Sequence, residues 1–366
     1  MKKNTSMILN PLISRYLPIS ILLSLVLVSF AAAQDWKSVL DLRGKWKFEL
    51  GDGVKRASVT FNDSKWDEIF VPSAWEDEGY PGYDGYAWYR KHFRLPAGAE
   101  KKALYLRLGC VDDVSEIYLN GVLIGITGNF PPDFMTAYNV EVILPIPQDV
   151  LSVSGDNVIA VRVYDDQLAG GIVSGKIGLY ESKTYLTPEI SFVGNWRFKT
   201  GDSEKWTDPS FDDRSWNQIF VPAYWESQGY PEYDGVAWYR LHFKLPAELS
   251  EKTLVILLGK IDDLDETYVN GKEIGRTGRI RSNPRRSNLD GEYREFRAYT
   301  ISAGLLKSGT DNVIAVRVYD GGGPGGIYEG PIGIMTREQY KEWRKNRSWK
   351  ERVEDDPKNI FDMIFK

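Results

Sequence analysis

Apolar and polar residues alternate with a period of two through most of this chain. The run VIAVRVY occurs at Val158–Tyr164 and again at Val313–Tyr319. In the first, Ile159, Val161 and Val163 fall on one face, and Val158, Ala160, Arg162 and Tyr164 on the other, the pattern of a strand. Short apolar runs at Leu104–Leu108 and Leu254–Leu258 read the same way. Ile117–Ile124 and Thr267–Ile274 each set Asn-Gly between two alternating segments. That placement predicts a two-residue hairpin, because both turn positions need positive φ. Helical spacing is scarce until TREQYKEWRKNRSW, and Pro357 interrupts it there. The pattern predicts an all-β chain of short strands, closed by a charged, partly helical tail over residues 337–366. Tyr340, Trp343 and Trp349 are placed to dock that tail on the domain before it.

The pattern is written twice. Val71–Arg90 reads VPSAWEDEGYPGYDGYAWYR, and Val221–Arg240 reads VPAYWESQGYPEYDGVAWYR. Trp46, Trp66, Trp75 and Trp88 recur 150 positions later as Trp196, Trp216, Trp225 and Trp238. A duplication of this length makes the chain a tandem of two similar domains, each large enough to bury a core. The expected bounds are 34–185 and 186–336, with Pro188 in the short link between the copies. Each candidate residue therefore has an internal control in the sister copy.

Residues 1–33 follow a different rule. Lys2, Lys3 and Arg15 precede an apolar run, Tyr16–Phe30, followed by Ala31, Ala32 and Ala33. This predicts a secretory signal peptide cleaved after Ala33, hence a secreted or periplasmic protein with no membrane attachment after cleavage. The run is short for a membrane span. The formal net charge of −5 argues against a dedicated nucleic-acid binder, which would be strongly basic. Cys110 is the only cysteine, so no intrachain disulfide can form. Its counterpart is Lys260, so thiol chemistry is not shared between the copies.

Seven elements recur in one order in both copies. They are a Trp-containing first strand, F-(N/D)-D-x-x-W, V-P-x-x-W-E-x-x-G-Y, Y-D-G-x-A-W-Y-R, an H-F-(R/K)-L-P strand, (V/I)-D-D-x-x-E-x-Y-x-N-G-x-x-I-G, and D-N-V-I-A-V-R-V-Y-D. This order resembles the sugar-binding jelly-roll domain at the start of family 2 glycoside hydrolases, the β-galactosidases and β-glucuronidases. It is also similar to the jelly-roll domain inserted in sialate O-acetylesterases. The resemblance covers almost all of both copies and implies two tandem jelly-roll β-sandwiches of the galactose-binding-like kind. Family 2 enzymes carry their catalytic glutamates on a separate (β/α)₈ barrel, and no strand–helix alternation of that kind is found here. The resemblance therefore implies the family's accessory domain without its catalytic machinery.

The remaining chemistry is weighed residue by residue. His92 and His242, the only histidines, sit at matched strand positions with no G-x-S-x-G elbow to serve, so they read as sheet residues. Asp112, Asp113, Glu116, Asp262, Asp263 and Glu266 form the carboxylate pool that a glycosidase would draw on. Glu116 is instead placed for a cross-strand pair with Arg162, and the Asp pairs are suited to a structural Ca²⁺; no cofactor is otherwise expected. The aromatic loops offer the best sugar site: Trp75, Tyr80, Tyr83, Asp84, Trp88 and Arg90 in the first copy, and Trp225, Tyr230, Tyr233, Asp234, Trp238 and Arg240 in the second. Rings take the apolar face of a sugar, and carboxylate and guanidinium groups take its hydroxyls. The same rings could instead close the mouth of the core.

The copies diverge at Gly275–Arg297, where the second carries Arg276, Arg279, Arg281, Arg285, Arg286, Arg294 and Arg297. Forked guanidinium groups suit a sulfated or uronate glycan. The second copy also has Tyr328 and Glu329 in its last glycine-rich loop, where the first has Val173 and Ser174. The expectation is a secreted, non-catalytic, carbohydrate-binding tandem, partnered by a glycan and by a glycan-degrading enzyme. A family 2-like hydrolase or its accessory subunit, and a structural module that packs on a partner, stand as alternatives. Full burial of Trp75 and Trp225, with no concave polar site at either loop end, would favour the last.

Overall fold

The computed structural model describes residues 36–147, 149–182 and 185–346. The expected signal peptide and Trp349 lie outside the described residues. The first copy contains β1 (Trp36–Asp41), β2 (Gly44–Leu50), β3 (Asp67–Val71), β4 (Gly85–Arg94), β5 (Tyr105–Asp112), β6 (Val114–Leu119), β7 (Val122–Thr127), β8 (Glu141–Pro145), β9 (Asp156–Asp165) and β10 (Gly171–Ser182). The second contains β11 (Ile190–Ser191), β12 (Gly194–Thr200), β13 (Asn217–Val221), β14 (Gly235–Lys244), β15 (Leu254–Asp262), β16 (Leu264–Val269), β17 (Lys272–Thr277), β18 (Arg297–Ile301), β19 (Asp311–Asp320) and β20 (Gly326–Thr336). The helix α1 (Arg337–Asn346) follows.

Each copy is a sandwich of a six-stranded and a four-stranded sheet. The orders are β3-β2-β4-β9-β6-β7 and β1-β10-β5-β8 in the first, and β13-β12-β14-β19-β16-β17 and β11-β20-β15-β18 in the second. Every pair of named strands is antiparallel, and the second copy repeats the first strand for strand. The Asn-Gly hairpins form as expected. Asn120 and Gly121 join β6 to β7 at φ 50° and 83°, and Asn270 and Gly271 join β16 to β17 at φ 48° and 80°.

Period two decides what is buried. Ile159, Val161 and Val163 turn inward into one core with Trp46, Phe48, Tyr89 and Ile117 of the same sheet and Leu106 and Ile177 of the facing sheet. Ile314, Val316 and Val318 do the same in the second copy, with Trp196, Phe198 and Tyr239. The other face of the six-stranded sheet is also covered. There Trp66, Trp88, Tyr118 and Ala160 pack together with Ala57, under the segment between β2 and β3. Arg90 lies on this face, fully buried, with its Nε 2.7 Å from Asp63 and an Nη1 bond to the Ser58 carbonyl. Arg240 repeats the arrangement with Asp213. On α1, Tyr340 and Trp343 pack with Leu186, Val255, Leu257 and Met335, which seats the start of the tail on β15 and β20.

Candidate acidic and arginine-rich sites at the loop ends

The loop that carries V-P-x-x-W-E is stitched to the loop that follows the V-Y-D strand. Ser73 N donates to the Ile172 carbonyl at 2.9 Å and Trp75 N to the Gly170 carbonyl at 3.0 Å. Ala223 and Trp225 bond Ile327 and Gly325 in the same way, at 2.9 and 3.1 Å. A Cβ on Gly170 would stand 2.2 Å from the Trp75 ring, and one on Gly325 would stand 2.2 Å from Trp225. Glycine is what lets the indole close over this loop.

That closure corrects the sugar-stacking expectation for the loop aromatics. Trp75 and Trp225 are 0% exposed, and Trp88, Trp238, Arg90 and Arg240 are buried as well. Trp75 and Trp225 pack on Phe48 and Phe198, and Trp88 and Trp238 on Tyr118 and Tyr268. None of these four indoles leaves a face for a pyranose ring. Tyr80 and Tyr230 are half-buried against Phe48 and Phe198. Their hydroxyls are engaged too, Tyr80 by Asp67 at 2.5 Å and Tyr230 by Asn217 at 2.7 Å. Tyr83 and Tyr233 pack edge-on against Trp75 and Trp225 and donate to the Tyr86 and Val236 carbonyls. Only Asp84 and Asp234 of these loop residues are exposed.

The last loop is likewise tied up. The Tyr328 ring stacks on Tyr224, with centroids 4.9 Å apart, and its hydroxyl donates to the Tyr293 carbonyl at 2.8 Å. Glu329 is exposed but lies 2.9 Å from Lys260 across the β15–β20 ladder. The first copy has Ser174 opposite Cys110 at that rung. The cysteine-to-lysine change is thus one half of a cross-strand replacement.

Behind the aromatic loop, three carboxylates converge in each copy. One oxygen each from Asp112, Asp113 and Asp165 lies within 4.8 Å of the others, and Asp262, Asp263 and Asp320 repeat the arrangement. The Asp pair comes from the β5–β6 or β15–β16 junction, and the third acid ends β9 or β19. Asp165 and Asp320 are 0% exposed. Asp113 is held by Thr136 and by the Asp166 N–H at 3.0 Å, and Asp263 by the Gly321 N–H at 3.1 Å. Neither oxygen of Asp165 receives a hydrogen bond from any donor among the described residues, nor does Oδ2 of Asp320. Glu76 and Glu226 accept from Gly170 and Gly325 with one oxygen and leave the other, buried, without a donor.

Burial first, and then the charges of Asp113 and Asp112, push the Asp165 carboxyl up to about 8. Burial likewise lifts Asp320 to about 7, over the opposing Gly322 N–H, with Asp263 and Asp234 adding to the rise. Asp112 and Asp262 are raised by burial and by the adjoining Asp of each pair. A hydrolytic pair needs a sugar linkage between its two acids. With Asp165 and Asp320 wholly buried, these clusters offer no such cleft. Glu116 and Glu266 are engaged elsewhere, pairing with Arg162 and Arg317 at 3.2 and 2.9 Å. His92 and His242 bond Asp63 and Asp213, both at 2.9 Å.

The arginine-rich loop divides into two sets. Arg297 is fully buried, 3.1 Å from the equally buried Asp265, and donates to the Asp263 carbonyl at 2.6 Å and to the Glu295 carbonyl at 2.6 Å. Arg276 pairs with Glu273, and Arg294 lies over the Tyr293 ring. Arg297 ties the loop to the sheet, whereas Arg276 and Arg294 are exposed and engaged by near neighbours in the chain. Arg279, Arg281, Arg285 and Arg286 are exposed. Arg279 and Arg281 line a cleft of about 670 Å³ with Gly278, Ile280, Ser282, Asn288 and Glu292.

Asp165, Asp320, Glu76 and Glu226 are the residues that sequence reasoning missed, and Arg297, expected among the glycan-gripping arginines, is buried instead. Both copies keep W-E and V-Y-D, and an acid retained beside a buried Trp or closing an apolar strand was the available signal. Nothing in the spacing marks Arg297 as buried.

The profile of the β-galactosidase second all-β domain matches residues 56–169 and 200–323. A β-glucuronidase of Formosa agariphila is 28% identical over 138 residues, 33% of this chain and 13% of that protein. The β-galactosidase BoGH2A of Bacteroides ovatus is 26% identical over 171 residues, 43% of this chain and 19% of that one. Among solved structures, a Bacteroides uniformis β-glucuronidase aligns with 81% of this chain and 28% of its own, at 18% identity and a TM-score of 0.34. The chain thus spans less than a fifth of the curated relatives named here.

Proposed function

Because the chain belongs to the family of the β-galactosidase second all-β domain, we propose that it works as an exported, non-catalytic glycan-binding module beside a family 2-type glycoside hydrolase. The observation that carries the reading is the cleft of about 670 Å³ in the second copy, where Arg279 and Arg281 stand exposed beside Ser282 and Asn288. Guanidinium forks bind carboxylate and sulfate in paired hydrogen bonds, so the ligand class is an acidic glycan, rich in uronate or sulfate ester. The first copy has no arginine-rich insertion and serves as the scaffold member of the pair. Several relatives are named β-glucuronidases, which supports a uronate-containing ligand.

The test is calorimetric titration of the mature chain with uronate, sulfated and neutral oligosaccharides. Binding of an acidic glycan, weakened at least tenfold in Arg279→Ala/Arg281→Ala and lessened by salt, is the expected result. Equal affinity for neutral and acidic sugars, or no binding to any, would reject it. The burial of Trp75 and Trp225 favours a second reading, a module that packs on a partner's catalytic domain. A stable complex with such a domain, unaffected by the double Arg variant and formed without any glycan affinity, would put that reading ahead.

A further inference from the structure

We propose that α1 is a clamp on the link between the copies, and that it holds the two sandwiches in one mutual orientation. Residues 185–189 lie between β10 and β11, and neighbours in this stretch are anchored in opposite sandwiches. Tyr185 belongs to the first. Its ring centroid lies 5.3 Å from that of Trp36 and 4.9 Å from that of Tyr105, and its N–H donates to Ser182 Oγ at 3.1 Å. The Arg107 guanidinium stands 4.9 Å over Trp36, and the Thr187 hydroxyl bonds that of Tyr105. Leu186 belongs to the second. It is buried, in one cluster with Val255 and Leu257 of β15 and Met335 of β20. A pivot here must draw one of two adjacent side chains out of an apolar cluster, which burial opposes. A Cβ on Gly333 would stand 2.2 Å from the Ile190 carbonyl oxygen and 2.5 Å from Pro188, so the end of the link lies flush on β20.

The helix supplies the cover. Tyr340 and Trp343, on one face of α1, pack on the cluster that holds Leu186, and Trp343 also meets Phe296. A capping box starts the helix. The Gln339 N–H donates to Thr336 Oγ1 at 3.3 Å, and Gln339 Oε1 accepts from the Thr336 N–H at 3.0 Å. The same side chain gives its amide to the link, with Gln339 Nε2 2.6 Å from Glu189 Oε1. A glutamate would complete the box but could not donate to Glu189. Glutamine at this position therefore joins the helix cap to the link.

Tandem domains move relative to one another unless a broad apolar contact joins them. The Tyr185 and Leu186 anchors, with α1 over the second, take that role. A partner or ligand that touches both copies then meets a preset surface and need not order it on binding.

The experiment uses the mature, full-length chain with Cys110→Ser and spin labels at Glu68→Cys and Gln218→Cys, exposed and equivalent positions on β3 and β13. Pulsed dipolar spectroscopy is expected to give one narrow distance distribution. Tyr340→Ser/Trp343→Ser should widen it at least about twofold, and so should Tyr185→Ser, which leaves the cluster under α1 intact. Gln339→Glu keeps the cap but sets two carboxylates face to face, and should widen the distribution without loss of the helix. Amide exchange in each sandwich establishes that both are folded in every variant compared. A broad distribution in the labelled parent, or an unchanged width in a folded Tyr340→Ser/Trp343→Ser chain, would overturn the proposal. Widening by Tyr185→Ser alone would show a link held without the helix, and would overturn the clamp. An unchanged width in Gln339→Glu would remove Gln339 from it. Glycan affinity is not the readout, so the outcome is independent of the arginine cleft.

Discussion

Gly170 and Gly325 have no side chain because the indoles of Trp75 and Trp225 occupy the place where one would project. Gly170→Ala or Gly325→Ala should cost about 1–3 kcal/mol by overpacking, measured by denaturant titration. Trp75→Ala or Trp225→Ala should cost about 3–5 kcal/mol, as for a core residue, and leave glycan affinity per folded molecule unchanged. A large loss of affinity in a folded variant would return these rings to the binding site. Titration separates another pair of effects. Burial lowers the His242 pKa, but the hydrogen bonds and charges of Asp311 and Asp213 outweigh it and hold the group above 6.5. Its stabilisation is therefore complete below the ordinary histidine value and disappears as pH rises through the folded one. His242→Gln should lower Tm at pH 5.5 and lose that effect by pH 9, with a contribution below about 1 kcal/mol for so exposed a pair. Equal Tm loss at both pH values would exclude the ion pair.

At the scale of elements, the Asn-Gly hairpins, the inward faces of β9 and β19 and the seating of Tyr340 and Trp343 were legible because each follows from local periodicity or turn chemistry. The aromatic loops were not. Sequence marks Trp75 and Trp225 as loop residues, but only the close approach of Gly170 and Gly325 shows that the loop folds inward over the core. The acidic clusters were half legible. The Asp pairs adjoin in the chain, whereas the third acid joins them only once β9 or β19 is laid beside β6 or β16. Arg297 gives the element-scale prediction. In the second copy Asp265, Arg297 and Tyr299 replace Ser115, Val142 and Leu144 of the first, and Arg297 also carries the backbone of the arginine-rich loop. Arg297→Met leaves Asp265 buried with the Tyr299 and Thr267 hydroxyls but without a counter-charge, and should destabilise the second sandwich by about 3–5 kcal/mol. Restoring the first copy's set, Asp265→Ser with Arg297→Val and Tyr299→Leu, should recover much of that loss and still leave the loop displaced. Amide exchange over residues 278–296 reads the displacement.

The whole molecule holds one topology twice, with every strand of the first sandwich matched by a strand of the second. A nascent chain therefore meets two acceptable neighbours for each strand, the usual hazard of tandem repeats. The paired differences between copies discriminate between them. If β10 joined β15, Ser174 would face Lys260 and the lysine would lose Glu329; if β8 replaced β18, Asp265 would be interred without a guanidinium. The two sheets thus carry dissimilar passwords at equivalent rungs. Erasing them, by writing the first copy's residues into the second, should raise the share of intertwined dimers on refolding even where each half keeps its stability.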